Sequence, residues 1–148
     1  MRLTPDDARQ RLVAHDHGVL STLHTVRGID SVPVVYAVEG NLLGIPIDTV
    51  KPKLSTNLQR EANAAADPRA TLLVDHWNRD DWSNLWWVRV HLTAVKNPDP
   101  DATSRLADAL ASRYPQYADK PFARIMVFEI ASMTGWSAAR EFVNDVRE

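Results

Sequence analysis

Two tight turns constrain this chain more than any other feature. Arg27-Gly28 separates β-branched runs at 19–26 and 29–38, and Glu39-Gly40-Asn41 separates the second run from a third at 42–47. Connections this short join antiparallel neighbours, because a parallel pair needs a crossover of about a dozen residues or more. The first third of the chain therefore reads as a β-meander, and any parallel α/β architecture is a poor fit.

The rest of the chain follows the same logic. Thr4-Pro5-Asp6-Asp7 is a helix start, with a hydroxyl cap, a proline at the first helical position and acids in the first turn. Ala8 and Leu12, with Val13 at the margin, give that helix an apolar stripe to about His15. A second helix is expected over 52–66, with Leu54, Leu58, Ala62 and Ala65 near one face, ending at Asp67-Pro68. Strands are expected at 70–77 and 85–95. A helix opened by Pro98 to Asp101 follows, with Leu106, Ala109, Leu110 and Tyr114 on one face. A last strand at 124–137 is broken or bent near Gly135. Six strands and three helices predict a mainly β fold: a closed or half-closed antiparallel β-barrel with flanking α-helices.

At 148 residues the chain reads as one domain, 1–148, without repeat or linker. Lys and Arg number 17 against 19 Asp and Glu, a net charge of -2, which gives no support to binding nucleic acid by bulk charge. The absence of cysteine excludes disulfides, thiol catalysis and cysteine-ligated metal. No apolar window is long enough to span a bilayer, and the charged N-terminus is unlike a secretory signal. A cytoplasmic protein with no membrane partner is the expectation.

One stretch departs from the ordinary. Residues 48–58, DTVKPKLSTNL, set Lys51 and Lys53 at an expected helix start with Ser55, Thr56 and Asn57 behind them. Helix N-termini favour acids, so lysines and hydroxyls there suit an anion held between them, and phosphate is the natural candidate. The five tryptophans point the same way. Trp86 and Trp87 are strand neighbours facing opposite sides, so one fills a barrel and the other needs a covering partner or ligand. The histidines show no helical metal spacing, and His15-Asp16-His17 reads as a surface turn, so no metal is expected. Asp75 and His76 face opposite ways along a strand, and no GxSxG turn exposes a serine. Chemistry in such a chain belongs to a bound cofactor, and no catalytic residue is assigned.

The pattern resembles the pyridoxamine 5'-phosphate oxidase-like split-barrel flavoproteins, within them the branch using the deazaflavin coenzyme F420. The resemblance rests on GVLSTL (18–23), SVPVVYAVEGN (31–41), KPKLSTNL (51–58) with ADPRATLLVDHW (66–77), LWWVRV (85–90) and MTGWS (133–137). It implies that Lys51 and Lys53 bind the cofactor phosphate, with donors from Thr56 and Asn57. It further implies that main-chain groups at Pro33, Val34 and Ile47 line the ring, and that Trp77, Trp82 or Trp136 wall the pocket. The site would form between the subunits of a homodimer. Where many FMN-binding relatives carry arginines, this chain has Lys51 and the apolar run 32–35, which favours F420 as a dissociable co-substrate over FMN. The expected activity is an oxidoreductase moving hydride to a small unsaturated or planar organic substrate. An FMN-dependent enzyme and a non-catalytic cofactor-binding protein are the alternatives.

Overall fold

A computed structural model of the chain describes residues 1–50 and 58–139. The elements run α1 (Pro5–Ala14), β1 (Gly18–His24), β2 (Gly28–Val34), β3 (Ala37–Glu39), β4 (Leu42–Asp48), α2 (Gln59–Ala66), β5 (Arg69–His76), β6 (Trp86–Ala94), α3 (Pro100–Arg113) and β7 (Phe122–Ser137). Single 3-10 turns sit at Trp82–Asn84 and Pro115–Tyr117. All strands pair antiparallel in one sheet, ordered β2-β1-β5-β6-β7-β4-β3. The mainly β architecture with flanking helices is thus the one expected. No described helix is long and apolar enough to cross a membrane.

The sheet wraps one core. Leu20, Leu72, Val74, Val88, Val90, Leu43, Ile45 and Phe128 meet inside it, and Trp86 joins them at 9% exposure. Trp87 points outward, where the Arg89 guanidinium lies 5.0 Å from its ring centroid, as strand alternation requires. The β3–β4 turn depends on Gly40, whose φ of +59 lies in the left-handed region that glycine enters freely. Gly44 permits a close approach: a Cβ there would sit 3.2 Å from both Leu106 and Ile125 side chains. Along α3, Ala102, Leu106 and Leu110 are buried, while Ala109 and Tyr114 pack around a smaller cluster with Ala37 and Tyr117. Strand β4 is therefore enclosed on both faces, by the barrel core and by α3.

Four local expectations needed correction. The run 29–38 is two strands, because Tyr36 turns fully inward and its hydroxyl donates to the Leu12 carbonyl at 2.5 Å. β2 pairs with β1 before this break and β3 pairs with β4 after it. The first strand ends at His24, whose Nδ1 accepts from the amides of Val26 and Arg27 and starts the turn. The described helix α2 begins only at Gln59, since Leu58 is extended at φ -101, ψ 144. Finally, β7 is not broken near Gly135; its pairing with β6 is irregular at Ala131, unpaired between Ile130↔Leu92 and Ser132↔His91, and its pairing with β4 is irregular at Ala123.

The helix faces also differ from their patterns. In α1, Ala8 and Leu12 are buried as expected, but Val13 is 46% exposed and Arg11 is enclosed instead. The Arg11 Nη1 donates to the Asp7 carbonyl, and its guanidinium lies 5.9 Å from the Trp86 ring, so a long side chain contributes apolar stem to the core. In α2 the expected alanine stripe faces solvent, and the buried residue is Asn63.

Candidate functional site

Helix α2 is fastened to the barrel by polar contacts. The Asn63 amide donates to Thr22 Oγ1 on β1 and to Asp30 Oδ2 on β2, each at 3.0 Å, and Gln59 donates to Asn63 Oδ1 at 2.9 Å. Arg124 on β7 makes a two-pronged ion pair with Glu61, at 2.7 and 2.9 Å. Arg60 Nη2 donates to the Pro46 carbonyl of β4 at 3.4 Å. The helix thus bridges strands from the two ends of the sheet order, β1 and β2 on one side, β4 and β7 on the other.

That bridge marks where the sheet opens. β3 pairs with β4 only from Ala37↔Gly44 to Glu39↔Leu42. Continuing that register would set Val34 opposite Ile47, but the chain leaves the ladder and β2 pairs with β1 alone. Pro33, Val34 and Ile47 therefore flank one opening. Their exposures differ sharply: Pro33 is exposed, Val34 is buried and Ile47 is completely enclosed. Of the three, Pro33 is the residue open to a ligand; the other two shape the opening from within.

At the end of β4 lies a cluster that sequence reasoning missed. Asp48 is buried and its carboxylate accepts from the Tyr117 hydroxyl at 2.5 Å and from the Val50 amide at 3.2 Å. Burial, and then the bond to Asp48, push the Tyr117 phenol well above its ordinary range. Arg60 stands beside this pair. Its guanidinium pKa is pushed down by burial, against the raising influence of Glu61, Asp48 and Tyr117. Its buried Nε has no hydrogen-bond partner among the described residues. A half-buried guanidinium with an unused N–H is a ready donor to an oxyanion. The signal available in the sequence was an arginine in an otherwise small and polar helix, directly after the lysine-bearing segment.

Lys51, Lys53, Thr56 and Asn57 lie outside the described residues. Trp77 follows β5 and is 54% exposed, with its ring centroid 6.3 Å from that of Trp82. Trp136 sits on the outer face of β7 opposite Trp87, away from the barrel interior. The same outer face carries the neighbours Val19 and Leu73, 38% and 39% exposed. Next to them runs a groove of ≈ 380 Å³ lined by Ser21, Ile29, Arg69, Thr71 and His91.

No family model matches the sequence, and no curated protein matches it. Solved structures do. A FAD-binding protein from Mesorhizobium loti aligns with TM-score 0.68 and 19% identity over 91% of this chain and 95% of its own. A candidate pyridoxamine 5'-phosphate oxidase from Corynebacterium glutamicum aligns with TM-score 0.56 and 18% identity, over 91% and 94%. The heme storage protein HutZ from Vibrio cholerae aligns with TM-score 0.63 and 12% identity, over 89% and 91%. At such identities the likeness establishes the fold: a split barrel of the pyridoxamine 5'-phosphate oxidase-like kind.

Proposed function

We propose that this chain is a flavin-type cofactor-binding oxidoreductase that uses reduced coenzyme F420, with FMN as the alternative cofactor. The observation that carries the reading is Arg60, half-buried at the start of α2 with an Nε–H that has no partner among the described residues. In sequence it follows Lys51 and Lys53, so three cations are concentrated in the short stretch between β4 and the first turn of α2. That donor set fits a phosphate. One structural neighbour is named a FAD-binding protein and another a candidate pyridoxamine 5'-phosphate oxidase, which supports the same reading.

The bound cofactor would supply hydride transfer to a small unsaturated or planar organic substrate. The chain's own part is to hold and orient. Lys51, Lys53 and Arg60 anchor the phosphate, Thr56 and Asn57 add donors, and Pro33 borders the ring. Asn63 fixes the position of α2, and with it the position of Arg60. Exposed apolar residues on the outer sheet face, Val19, Leu73 and Trp136, suit a second copy of this chain, giving a homodimer with cofactor sites at its interface.

The test is parallel titration with F420 and FMN, read by tryptophan quenching, with sedimentation of the same samples. F420 should bind more tightly than FMN to a dimer. Lys53→Ala and Arg60→Gln should each weaken binding about 10-fold or more, the scale of a lost charge-assisted hydrogen bond. Unchanged binding in both variants would remove the phosphate assignment. Saturable heme binding without flavin binding would replace it with a non-catalytic storage role, the role named for HutZ.

A further inference from the structure

Far from α2 in sequence, the link between α1 and β1 places three metal-ligating side chains together. His15, Asp16 and His17 each offer a ligand atom, and these atoms all lie within 4.8 Å of one another. The backbone explains the convergence. His15 is extended, at φ -81 and ψ 154, and side chains two apart on an extended chain share a side. The two imidazoles accordingly stack at 5.3 Å, 29° from parallel. Asp16 would point away in a regular strand, but it turns back, its Oδ1 2.5 Å from His17 Nδ1.

The link is held in this shape from several directions. Tyr36 donates from within the fold to the carbonyls of Leu12 and His15, at 2.5 and 3.3 Å. Tyr114 donates to the Asp16 carbonyl at 2.7 Å, and Arg113 Nη1 to the Val13 carbonyl at 2.8 Å. The His15 ring rests edge-on against Trp86 at 5.2 Å. Within residues 15–17, Tyr36 and Tyr114 thus hold two carbonyls and Trp86 one ring, while the bonds to Leu12 and Val13 cap the C-terminal end of α1. Asp16 and His17 themselves stay exposed, beside a depression lined by Val13, Val35, Arg113 and Tyr114. Arg113 is the cation nearest that depression, and its guanidinium is committed to the Val13 carbonyl and to the rings of Tyr36 and Tyr114, at 5.1 and 5.6 Å. Asp75 and His76 complete the titratable groups that act on His15.

We propose that His15, Asp16 and His17 form a binding site for a borderline transition-metal dication, of the Zn²⁺ or Ni²⁺ kind. Two imidazoles and one carboxylate select this class over Mg²⁺ and Ca²⁺, which take all-oxygen shells. Three protein donors leave at least one position for water or an external ligand. Preorganisation by the tyrosines lowers the ordering cost of binding. The site is separate from the phosphate anchor and does not depend on it.

Isothermal titration of the untagged full chain with ZnCl₂ and NiCl₂, with MgCl₂ as the control, tests this directly. One Zn²⁺ or Ni²⁺ per chain should bind, with no heat from Mg²⁺. His17→Ala and Asp16→Asn change exposed side chains, leave the Trp86 contact intact, and should each weaken binding about 10-fold or more. His91→Ala, on the outer sheet face, should bind as the parent does. No binding by the parent chain, or parental affinity in both His17→Ala and Asp16→Asn, overturns the proposal. So does a loss confined to His91→Ala.

Discussion

Helices α2 and α3 both cover the barrel, and they do so by different physics. α3 lays Ala102, Leu106 and Leu110 against the back of β4, where Gly44 lets it approach closely. That contact is apolar, non-directional and scaled by area. α2 buries only Asn63 among its residues, and is positioned by hydrogen bonds and an ion pair to four strands. Such bonds add little net stability each but specify location closely. The apolar cover stabilises the fold, whereas the polar cover aims a helix. It is the aimed helix that carries Arg60.

The largest expected effect breaks the apolar side of this contrast. Leu106→Ala removes a fully buried side chain and should cost about 3 kcal/mol in chemical denaturation, with cofactor affinity little altered in the folded fraction. Next comes the polar side. Asn63→Ala strips donors from Thr22 and Asp30 and should cost about 1–2 kcal/mol. Unlike Leu106→Ala, it should also raise amide exchange across α2 and weaken phosphate-dependent binding. Equal stability losses in the two variants, with no change in exchange, would erase the distinction. The smallest effect is at the rim: Glu61→Ala releases a partly exposed ion pair and should cost less than about 1 kcal/mol, fading as salt is added.

How much of this was readable follows the same division. The short turns dictated antiparallel pairing, and the alternation of Trp86 and Trp87 placed one ring in the core and the other outside. The α3 stripe was legible because apolar burial leaves a periodic mark. α2 left no such mark: Ala62 and Ala65 have helical spacing but face solvent, while the buried group is an amide whose partners lie on β1 and β2. Nothing local announces that Asn63 will meet Thr22. The same holds for Tyr36, whose inward turn depends on carbonyls at the end of α1. Arg60 escaped notice because an arginine in a helix is ordinarily a solvated side chain. The supports of His15-Asp16-His17, namely Tyr36, Tyr114 and Trp86, were equally illegible, because they come from distant parts of the chain.

The extra residue at Ala131 has a wider consequence. Before it, Phe128 and Ile130 face inward; after it, Met133, Gly135 and Ser137 do. Strict alternation counted from Phe128 would put Ser132, Thr134 and Trp136 inside, so β7 holds two reading frames of inside and outside, joined at Ala131. Ile130 and Ser132 already pair with the adjacent residues Leu92 and His91, so deleting Ala131 would close the ladder and leave Phe128, Ile130, Met133 and Gly135 facing inward. What deletion would remove is the local bend and added twist of a bulge. Ala131 is thus punctuation that can be erased without scrambling the text: it serves the curvature of the sheet, not the choice of inward residues.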